Sequence, residues 1–334
     1  MKLIKKIIYW ILGLQFHLIT FLRNKFYDFG ILKSFSFEIP VISVGNLAVG
    51  GTGKTPMVEF LIKKFSDKYN IAVLSRGYKR KTKGFIIASE KDDVLTIGDE
   101  SFQYYSKFKN IKVAVDEKRR RGISKLIKAG VNMIILDDAF QHRKVIPTYS
   151  ILLSDYSNLY FNDYLLPRGN LRESRSGCKR ADSIIITKCP ENFSENNKRY
   201  IIESINLKSN QHIFFSKIKY SDELFSANSS INISKLSNKK VDVITGIVKP
   251  ENMIKHLEKK GLLINHFKYP DHYNYKQKDI LKLNDNVIIT TEKDYTKLRK
   301  FNIENLYYLP MFTDVSAEKT LMEKIEEKIE EKIG

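Results

Sequence analysis

The sequence predicts an α/β fold with a doubly wound, mainly parallel sheet and a second, smaller α/β domain. Two observations lead to this fold class. Short apolar runs rich in β-branched residues alternate with amphipathic helical stretches, as expected of strands buried on both faces of a parallel sheet. The alternation stops at a Ser- and Asn-rich polar segment, 226–238, which reads as a linker or loop, and then resumes. Strand candidates before this segment are 40–44, 71–75, 111–115, 131–136, 149–154, 183–187 and 213–220.

Four units follow from this pattern along the chain. We predict an N-terminal helix over residues 1–30, a larger domain over 31–220, a smaller α/β domain over 221–315 and a charged C-terminal helix over 316–334. In the last unit, isoleucines recur every four residues between 323 and 333, which places them on one helix face. This stripe predicts a solvated helix docked through its isoleucines.

The composition favours an anionic partner. The chain has 334 residues and a formal net charge of +19, with 57 basic and 38 acidic residues. Such an excess suits nucleic acid, acidic lipid or a phosphorylated substrate, although a general drift toward lysine is an alternative interpretation. Cys178 and Cys189 lack metal-site spacing, and no disulfide is expected.

The first strand candidate ends in a glycine-rich loop, 45–53, that precedes a helical stretch, as in phosphate-binding P-loops. Glycines let backbone N–H groups converge on an anion, and the helix N-terminus adds positive charge. Lys54 would reach the β/γ-phosphates, and the Thr55 hydroxyl would hold Mg²⁺. Ala48 stands where the strict motif has glycine. The predicted nucleotide-binding residues are Asn46, Gly50, Gly51, Thr52, Gly53, Lys54 and Thr55.

Acidic residues follow a later strand candidate. The run 131–136 leads into Asp137 and Asp138, at the edge of the sheet where ligands bind in such folds. We predict Thr55 and Asp138 as Mg²⁺ ligands. Asp99, after Gly98, belongs to another acidic pair, for which capping of a helix is an alternative interpretation. These features predict a P-loop NTPase-like domain.

The N-terminus combines an apolar stretch, 7–22, with basic flanks. It is about 16 residues long, short of the roughly 20 needed to span a bilayer. Trp10 lies within it, and no small-residue cleavage site follows. These features predict a helix lying in the membrane surface; a buried N-terminal helix is the alternative.

Two basic loops, 76–81 and 116–121, follow strand candidates at the edge that carries the P-loop. Arg76, Arg119 and Arg120 are therefore candidates for gripping an anionic substrate. Solvated charged faces are the alternative interpretation.

Several short motifs occur in a fixed order between about residues 40 and 295. They are Gly45-Asn46, Gly50-Gly51-Thr52-Gly53-Lys54-Thr55-Pro56, Ser75-Arg76-Gly77-Tyr78, Gly98-Asp99-Glu100, Asp137-Asp138-Ala139-Phe140-Gln141-His142, Leu166-Pro167-Arg168-Gly169, Leu171-Arg172-Glu173, Asp271-His272 and Thr291-Glu292-Lys293-Asp294. Together these segments resemble the tetraacyldisaccharide 4′-kinase family of lipid A biosynthesis. The family's own loop also lacks the first glycine. Ser101 departs from the family pattern, which has proline there, and Lys249 stands where arginine is usual.

The resemblance implies that ATP phosphorylates the 4′-hydroxyl of a lipid-linked disaccharide 1-phosphate. By resemblance Asp99 is the catalytic base, assisted by His272, and Lys54 stabilises phosphate charge. The implied cofactors are ATP and Mg²⁺. We expect a monomer at the cytoplasmic face of the bacterial inner membrane, peripheral or monotopic, in contact with an anionic membrane surface. Further substrate-site candidates are His142, Arg172 and Glu173.

Two other classes of protein share the P-loop. A ParA/MinD-like partitioning ATPase needs a signature lysine before the glycines, and Val49 stands there instead. A GTPase needs a guanine-reading Asp two residues after lysine; here Lys188 is followed by Cys189 and Pro190. No RNA-binding aromatic signature is found, so no nucleic-acid partner is expected.

We predict that deleting residues 1–25 releases the protein from membranes, because this segment carries the apolar stretch and its basic flanks. Co-sedimentation with anionic vesicles measures the effect. Unchanged sedimentation of the truncated protein would contradict the prediction.

Overall fold

The computed structural model describes residues 2–283 and 286–334, which fold around two β-sheets. The strands are β1 (Val41–Asn46), β2 (Ile71–Ser75), β3 (Ile86–Ile87), β4 (Lys112–Val115), β5 (Met133–Asp137), β6 (Tyr149–Asp155), β7 (Ser183–Thr187), β8 (His212–Tyr220), β9 (Glu223–Phe225), β10 (Ser230–Asn232), β11 (Lys240–Thr245), β12 (Leu263–Lys268), β13 (Val287–Thr291), β14 (Leu306–Leu309) and β15 (Met311–Val315). The α-helices are α1 (Lys2–Asp28), α2 (Lys54–Phe65), α3 (Val94–Ile97), α4 (Asp99–Lys107), α5 (Arg119–Lys128), α6 (Glu195–Ile205), α7 (Glu251–Lys259), α8 (Gln277–Ile280), α9 (Glu292–Leu298) and α10 (Glu318–Ile333).

The larger sheet has nine strands in the order β15-β8-β7-β6-β1-β5-β2-β4-β3. Its pairs are parallel from β8 to β4, and the two outermost strands, β15 and β3, are antiparallel to their neighbours. The predicted doubly wound, mainly parallel sheet is thereby confirmed. β1 lies in the middle of the order, between β5 and β6, so its loop opens at the centre of the sheet edge where ligands bind.

The smaller sheet has six strands in the order β10-β9-β14-β13-β11-β12. The four strands from β14 to β12 are parallel, whereas β9 and β10 add an antiparallel edge. Helix α9 follows β13 directly and faces the larger domain, where it packs on α4. This contact brings residues of both domains together.

Two segments differ from the sequence-based prediction. The polar segment 226–238 contains strand β10 and a 3₁₀-helix, Ile233–Leu236, because Ile233 and Leu236 enter the core of the smaller domain. Strand β15, predicted as part of the smaller domain, pairs with β8 in the larger sheet. Only Pro310 separates β15 from β14, so the chain returns to the larger sheet within one residue. The division of the chain at 220 and 315 stays a prediction.

Helix α10 packs on the larger domain through one apolar face. Leu321, Ile325 and Ile329 are fully or almost fully buried there, in the same apolar cluster as α2 and the central strands. The isoleucine stripe therefore docks the helix, as predicted.

Helix α1 has 27 residues, and its end is fastened to the larger domain. Arg143 donates to the carbonyl of Asn24 (2.7 Å) and to the carboxylate of Asp28 (2.8 Å). In the part of the chain that the structure describes, no helix is both long and apolar enough to cross a membrane. The side chain of Trp10, on which the interfacial interpretation partly rests, lies outside the described residues. Exposed apolar side chains on and just after α1 are Leu18, Ile19, Phe21, Leu22, Phe26, Phe29 and Ile31.

We predict that Ile325→Ala lowers the free energy of unfolding by about 2–4 kcal/mol, because it leaves a cavity under α10. Ile333→Ala, on the same helix but 60% exposed, is the matched control and should change it by less than about 0.5 kcal/mol. Urea unfolding measures both. Equal effects of the two substitutions would contradict the docking of α10 through its isoleucines.

Candidate active site

The loop between β1 and α2 has the backbone conformation of a phosphate cradle. Gly50 (φ 106°) and Gly53 (φ 85°) adopt positive φ angles, which side chains other than glycine rarely tolerate. α2 then begins at Lys54, so the helix N-terminus points at the loop. The Asn46 side-chain amide donates to the Thr52 hydroxyl (2.8 Å) across the loop. The predicted nucleotide-binding residues thus lie along one continuous segment, from the end of β1 to the start of α2.

Neighbouring segments hold this loop from both sides. On one side, Val49 N donates to the Asn170 carbonyl (2.8 Å) and Arg172 N donates to the Leu47 carbonyl (2.7 Å). On the other side, the Thr187 hydroxyl donates to the Thr52 carbonyl (2.8 Å), and the Lys188 ammonium donates to the Gly51 carbonyl. A loop braced in this way is largely preorganised for an anion.

Lys54 and Asp138 meet beside the loop. The Lys54 ammonium lies 3.7 Å from Asp138 Oδ1, and Arg172 donates to the same carboxylate at 2.9 and 3.1 Å. Burial raises the pKa of Asp138, but the charges of Lys54 and Arg172 more than offset it, so the pKa is lowered. Asp138 is therefore ionised, and it holds both cations beside the P-loop.

Asp137 is the second acidic residue at the end of β5. Burial raises its pKa to about 7, and the negative charge of Asp138 acts in the same direction. The Tyr104 hydroxyl donates to Oδ2 (3.2 Å), and Tyr104 also hydrogen-bonds to Thr55. Asp137 Oδ1 is buried without a hydrogen-bond partner among the described residues. An orphaned carboxylate oxygen near a threonine hydroxyl suits a hydrated Mg²⁺ ion.

Asp99 and His272 come together from the two domains. Asp99 is the first residue of α4, whereas His272 lies in the loop after β12 with φ 59°. The distance from His272 Nδ1 to Asp99 Oδ2 is 2.8 Å, and the Lys297 ammonium lies 2.6 Å from the same oxygen. Burial raises the pKa of Asp99, but hydrogen bonds from His272 and Lys297 lower it to about 2. The carboxylate is thus ionised at neutral pH.

The Asp99–His272 pair lies on the same side of the molecule as Asp137 and Asp138, the acids at the end of β5. Glu100, which follows Asp99, is close enough to Asp137 and Tyr104 for its charge to raise their pKa values. The loop before it is tightly packed: a Cβ atom on Gly98 would lie 2.8 Å from the Tyr78 carbonyl oxygen. The Tyr78 ring in turn packs edge-on against His272, with 5.3 Å between ring centroids.

Of the predicted substrate-contacting residues, Arg76, Arg119 and His142 lie close together, whereas Arg120 points elsewhere. Arg76 is exposed and Arg119 is buried. Burial lowers the pKa of His142 to about 4, and the charges of both arginines act in the same direction. Burial also lowers the pKa of Arg119 to about 10. Arg120 instead lies over the Phe35 ring, 3.6 Å from its centroid.

Glu173 is almost fully buried beneath α1. Its carboxylate accepts hydrogen bonds from Asn24 of α1 (2.8 Å), from Arg180 (2.8 Å) and from Gln141 (3.1 Å). Gln141 also donates to the Asn46 carbonyl (2.7 Å). Glu173 therefore connects α1 to the P-loop: it binds Asn24 of α1 on one side and Gln141, which contacts the P-loop, on the other.

A family model described as tetraacyldisaccharide-1-P 4′-kinase (LpxK) matches residues 5–330. The chain belongs to the tetraacyldisaccharide-1-P 4′-kinase family. Among its relatives, the tetraacyldisaccharide 4′-kinase of Flavobacterium psychrophilum is 47% identical over 326 residues, which cover 94% of this chain and 92% of the relative. That of Bacteroides fragilis is 43% identical over 295 residues, 83% of this chain and 78% of the relative.

A solved structure supports the same assignment. The crystal structure of "apo" form LpxK from Aquifex aeolicus in complex with ATP is 30% identical, with a TM-score of 0.78, and the match covers 95% of this chain and 97% of that one. Membership in the 4′-kinase family confirms the resemblance drawn from the motifs. It makes the chain a kinase and leaves the ParA/MinD-like alternative without support.

Several residues of this kinase site had no role assigned from the sequence, although Lys293 and Gln141 stand in the matching segments. Lys293 and Lys297, both on α9, contact His272 and Asp99 respectively. Tyr104 joins Thr55 to Asp137, and Gln141 joins Glu173 to the P-loop. The spacing of the two lysines, four residues apart on a helix, was the available signal. Their partners lie far away in the chain, so spacing alone does not identify them.

A second charge cluster joins the two domains behind the site. Lys107, the last residue of α4, lies 2.6 Å from Glu59 of α2 and 2.6 Å from Glu292 of α9. Gln103 also donates to Glu59 (2.9 Å). Burial, reinforced by the charge of Glu59, raises the pKa of Glu292 to about 7. One ammonium thus stands between two buried carboxyl groups.

We predict that Lys107→Met lowers the free energy of unfolding by about 3 kcal/mol at pH 8, because two buried carboxyl groups lose their cation. Because Lys107 lowers the pKa of Glu292, which burial raises to about 7, removing Lys107 raises this pKa further, and the loss should shrink as the pH falls from alkaline values toward about 7. Urea unfolding at several pH values measures both effects.

The exposed Lys109→Met is the matched control and should change stability by less than about 0.5 kcal/mol. Adding Glu292→Gln to Lys107→Met should restore part of the loss, because it removes one buried charge. A loss that does not vary with pH, or no recovery in the double variant, would contradict the role of the cluster.

Proposed function

We propose that the chain transfers the γ-phosphoryl group of ATP to the 4′-hydroxyl of a tetraacyldisaccharide 1-phosphate, with Asp99 as the proton acceptor. The main support for the assignment of Asp99 is its hydrogen bond with His272, which joins the two domains near Asp137 and Asp138. The acceptor follows from the family, and the related structure from Aquifex aeolicus contains ATP. Phosphoryl transfer requires mainly positioning and charge stabilisation, which this arrangement can supply.

The donor side uses the P-loop and its cations. Backbone N–H groups around Gly50 to Gly53 would receive the phosphates, and Lys54 would neutralise charge that develops during transfer. Thr55 and Asp138, with the orphaned Asp137 oxygen, would hold Mg²⁺. When bound, Mg²⁺ supplies electrostatic stabilisation of the β- and γ-phosphate oxygens. Because Asp138 is paired with Lys54 and Arg172, it also keeps these cations directed toward the nucleotide.

On the acceptor side, Asp99 would accept the proton of the 4′-hydroxyl. A carboxylate with a pKa of about 2 is a weak base, yet it is deprotonated throughout the physiological pH range. In a loose transition state the hydroxyl proton becomes acidic only late, as the new P–O bond forms, so a weak base in the right place is sufficient. His272 is hydrogen-bonded to Asp99 (2.8 Å) and fixes its orientation.

The remaining residues would meet the substrate and the membrane. Arg76, Arg119 and His142 converge and form a basic region suited to the 1-phosphate, whereas Arg120 lies over the Phe35 ring. The exposed apolar side chains of α1 suit the acyl region of a membrane surface at the cytoplasmic face of the inner membrane, and the basic flanks of this segment suit anionic head groups. Glu173 would tie this helix to the site. We propose a monomer, since one chain carries every one of these groups.

We predict that Asp99→Ala lowers kcat by about 10²–10⁴-fold while ATP still binds, because it removes the proton acceptor and leaves the P-loop intact. Transfer from radiolabelled ATP to the disaccharide 1-phosphate measures the rate, and a fluorescent ATP analogue measures binding. Lys54→Ala, assayed in parallel, should weaken both. The exposed Asp67→Ala is the matched control and should change neither. Near-normal turnover of Asp99→Ala would rule out the assignment of the base.

A further inference from the structure

We propose that Lys293 and Lys297 of α9 are positioning residues for the reaction: Lys297 holds the Asp99 carboxylate, and Lys293 determines which nitrogen of His272 carries the proton. This inference rests on the proposed function, in which Asp99 accepts the hydroxyl proton.

Lys297 is a buried lysine with one carboxylate partner. It is only 4% exposed, and its ammonium lies 2.6 Å from Asp99 Oδ2 and 3.5 Å from the Tyr273 carbonyl oxygen. Lysine is rarely buried this deeply unless it is paired. Both Lys297 and His272 use Oδ2 of Asp99, and among the described residues Oδ1 makes no hydrogen bond. Lys297 thus fixes the carboxylate and leaves Oδ1 free to face the substrate hydroxyl.

Lys293 determines the hydrogen-bond direction at His272. Its ammonium lies 3.1 Å from Nε2, and an ammonium group can only donate hydrogen bonds. Nε2 must therefore be the acceptor nitrogen, and the ring proton lies on Nδ1. Nδ1 is the atom 2.8 Å from Asp99, so the imidazole donates to the carboxylate rather than competing with it for the substrate proton.

The charged groups around His272 explain why it needs Lys293. Asp99 faces Nδ1, while Glu100 and Asp271 lie 3.9 and 3.6 Å from Nε2. The Lys293 ammonium is also 3.7 Å from Glu100 and 3.3 Å from Asp271. Without it, Nε2 would face the carboxylates of Glu100 and Asp271, which accept hydrogen bonds, instead of an ammonium group, which donates one.

Helix α9 is itself fixed in place, which a positioning role requires. Asp294 is fully buried, and its Oδ2 accepts hydrogen bonds from Gly246 N and from the Thr291 hydroxyl, both at 2.8 Å. Glu292 binds Lys107 of α4. The segment Thr291 to Asp294 therefore anchors the helix and presents Lys293 and Lys297, four residues apart, on one face.

The first test is the pH dependence of kcat for Lys297→Met. Burial raises the pKa of Asp99, and Lys297 is one of the two residues whose hydrogen bonds lower it to about 2, so removing Lys297 raises this pKa. The deprotonated base is then lost at a higher pH, so kcat of Lys297→Met should fall with decreasing pH over a range in which the wild-type kcat is still constant. Lys297→Arg should restore most of the wild-type profile, since it keeps the charge.

Lys300→Met, an exposed lysine directly after α9, is the matched control and should leave the profile unchanged. A merely structural role for Lys297 would lower kcat by the same factor at every pH, and this result would overturn the proposal. So would an Lys297→Met enzyme with wild-type kcat and profile.

The second test is ¹⁵N NMR of the His272 ring, assigned with His272→Gln. The wild type should show one protonated and one unprotonated ring nitrogen. In Lys293→Met the unprotonated Nε2 signal should move toward that of a protonated nitrogen at neutral pH. An Nε2 signal that does not move would overturn the role of Lys293. This signal can be measured even if Lys293→Met has a low turnover rate.

Asp99→Asn separates this inference from the proposed function. If Asp99→Asn keeps near-normal turnover, the proposed base is wrong and the positioning role falls with it. If Asp99→Asn is inactive while Lys297→Met keeps the wild-type pH profile, the base stands and only the positioning role is wrong.

Discussion

The site depends on charged side chains buried where α4 meets α9. Asp99 is the first residue of α4 and Lys107 is the last, and each pairs with a residue of opposite charge on α9. The acid at the N-terminus and the base at the C-terminus also suit the dipole of α4. Because both charges are largely buried, each requires its partner, and the two domains are held in one relative position. That position brings His272 to Asp99.

The P-loop shows how its surroundings compensate for an altered motif. Ala48, where the strict pattern has glycine, forms an isolated bridge with Leu171 and is buried. Extended backbone at this position does not require glycine. Positive φ angles occur later, at Gly50 and Gly53, where the sequence does supply glycine. Alanine is therefore tolerated at position 48 because the loop is extended there and pairs with the neighbouring segment at Leu171.

A continuous set of hydrogen bonds connects α1 with the nucleotide loop. Asn24 binds Glu173, Gln141 binds Glu173 and the Asn46 carbonyl, and Asn46 spans the loop to Thr52. A movement of α1 at a lipid surface would thereby be transmitted to the P-loop. This arrangement explains why Glu173 is buried under the helix rather than exposed to substrate.

The sequence by itself determined the fold class, the P-loop and the acids after β5, because strand periodicity and glycine spacing are local properties of the chain. The candidacy of Asp99 and His272 came from the resemblance of its ordered motifs to the 4′-kinase family. Only the tertiary structure decided that β15 joins the larger sheet, that α9 supplies Lys293 and Lys297, and that Lys107 stands between Glu59 and Glu292. These depend on contacts between residues far apart in the chain. A charged side chain gives no sign in the sequence of which distant partner will neutralise it once both are buried.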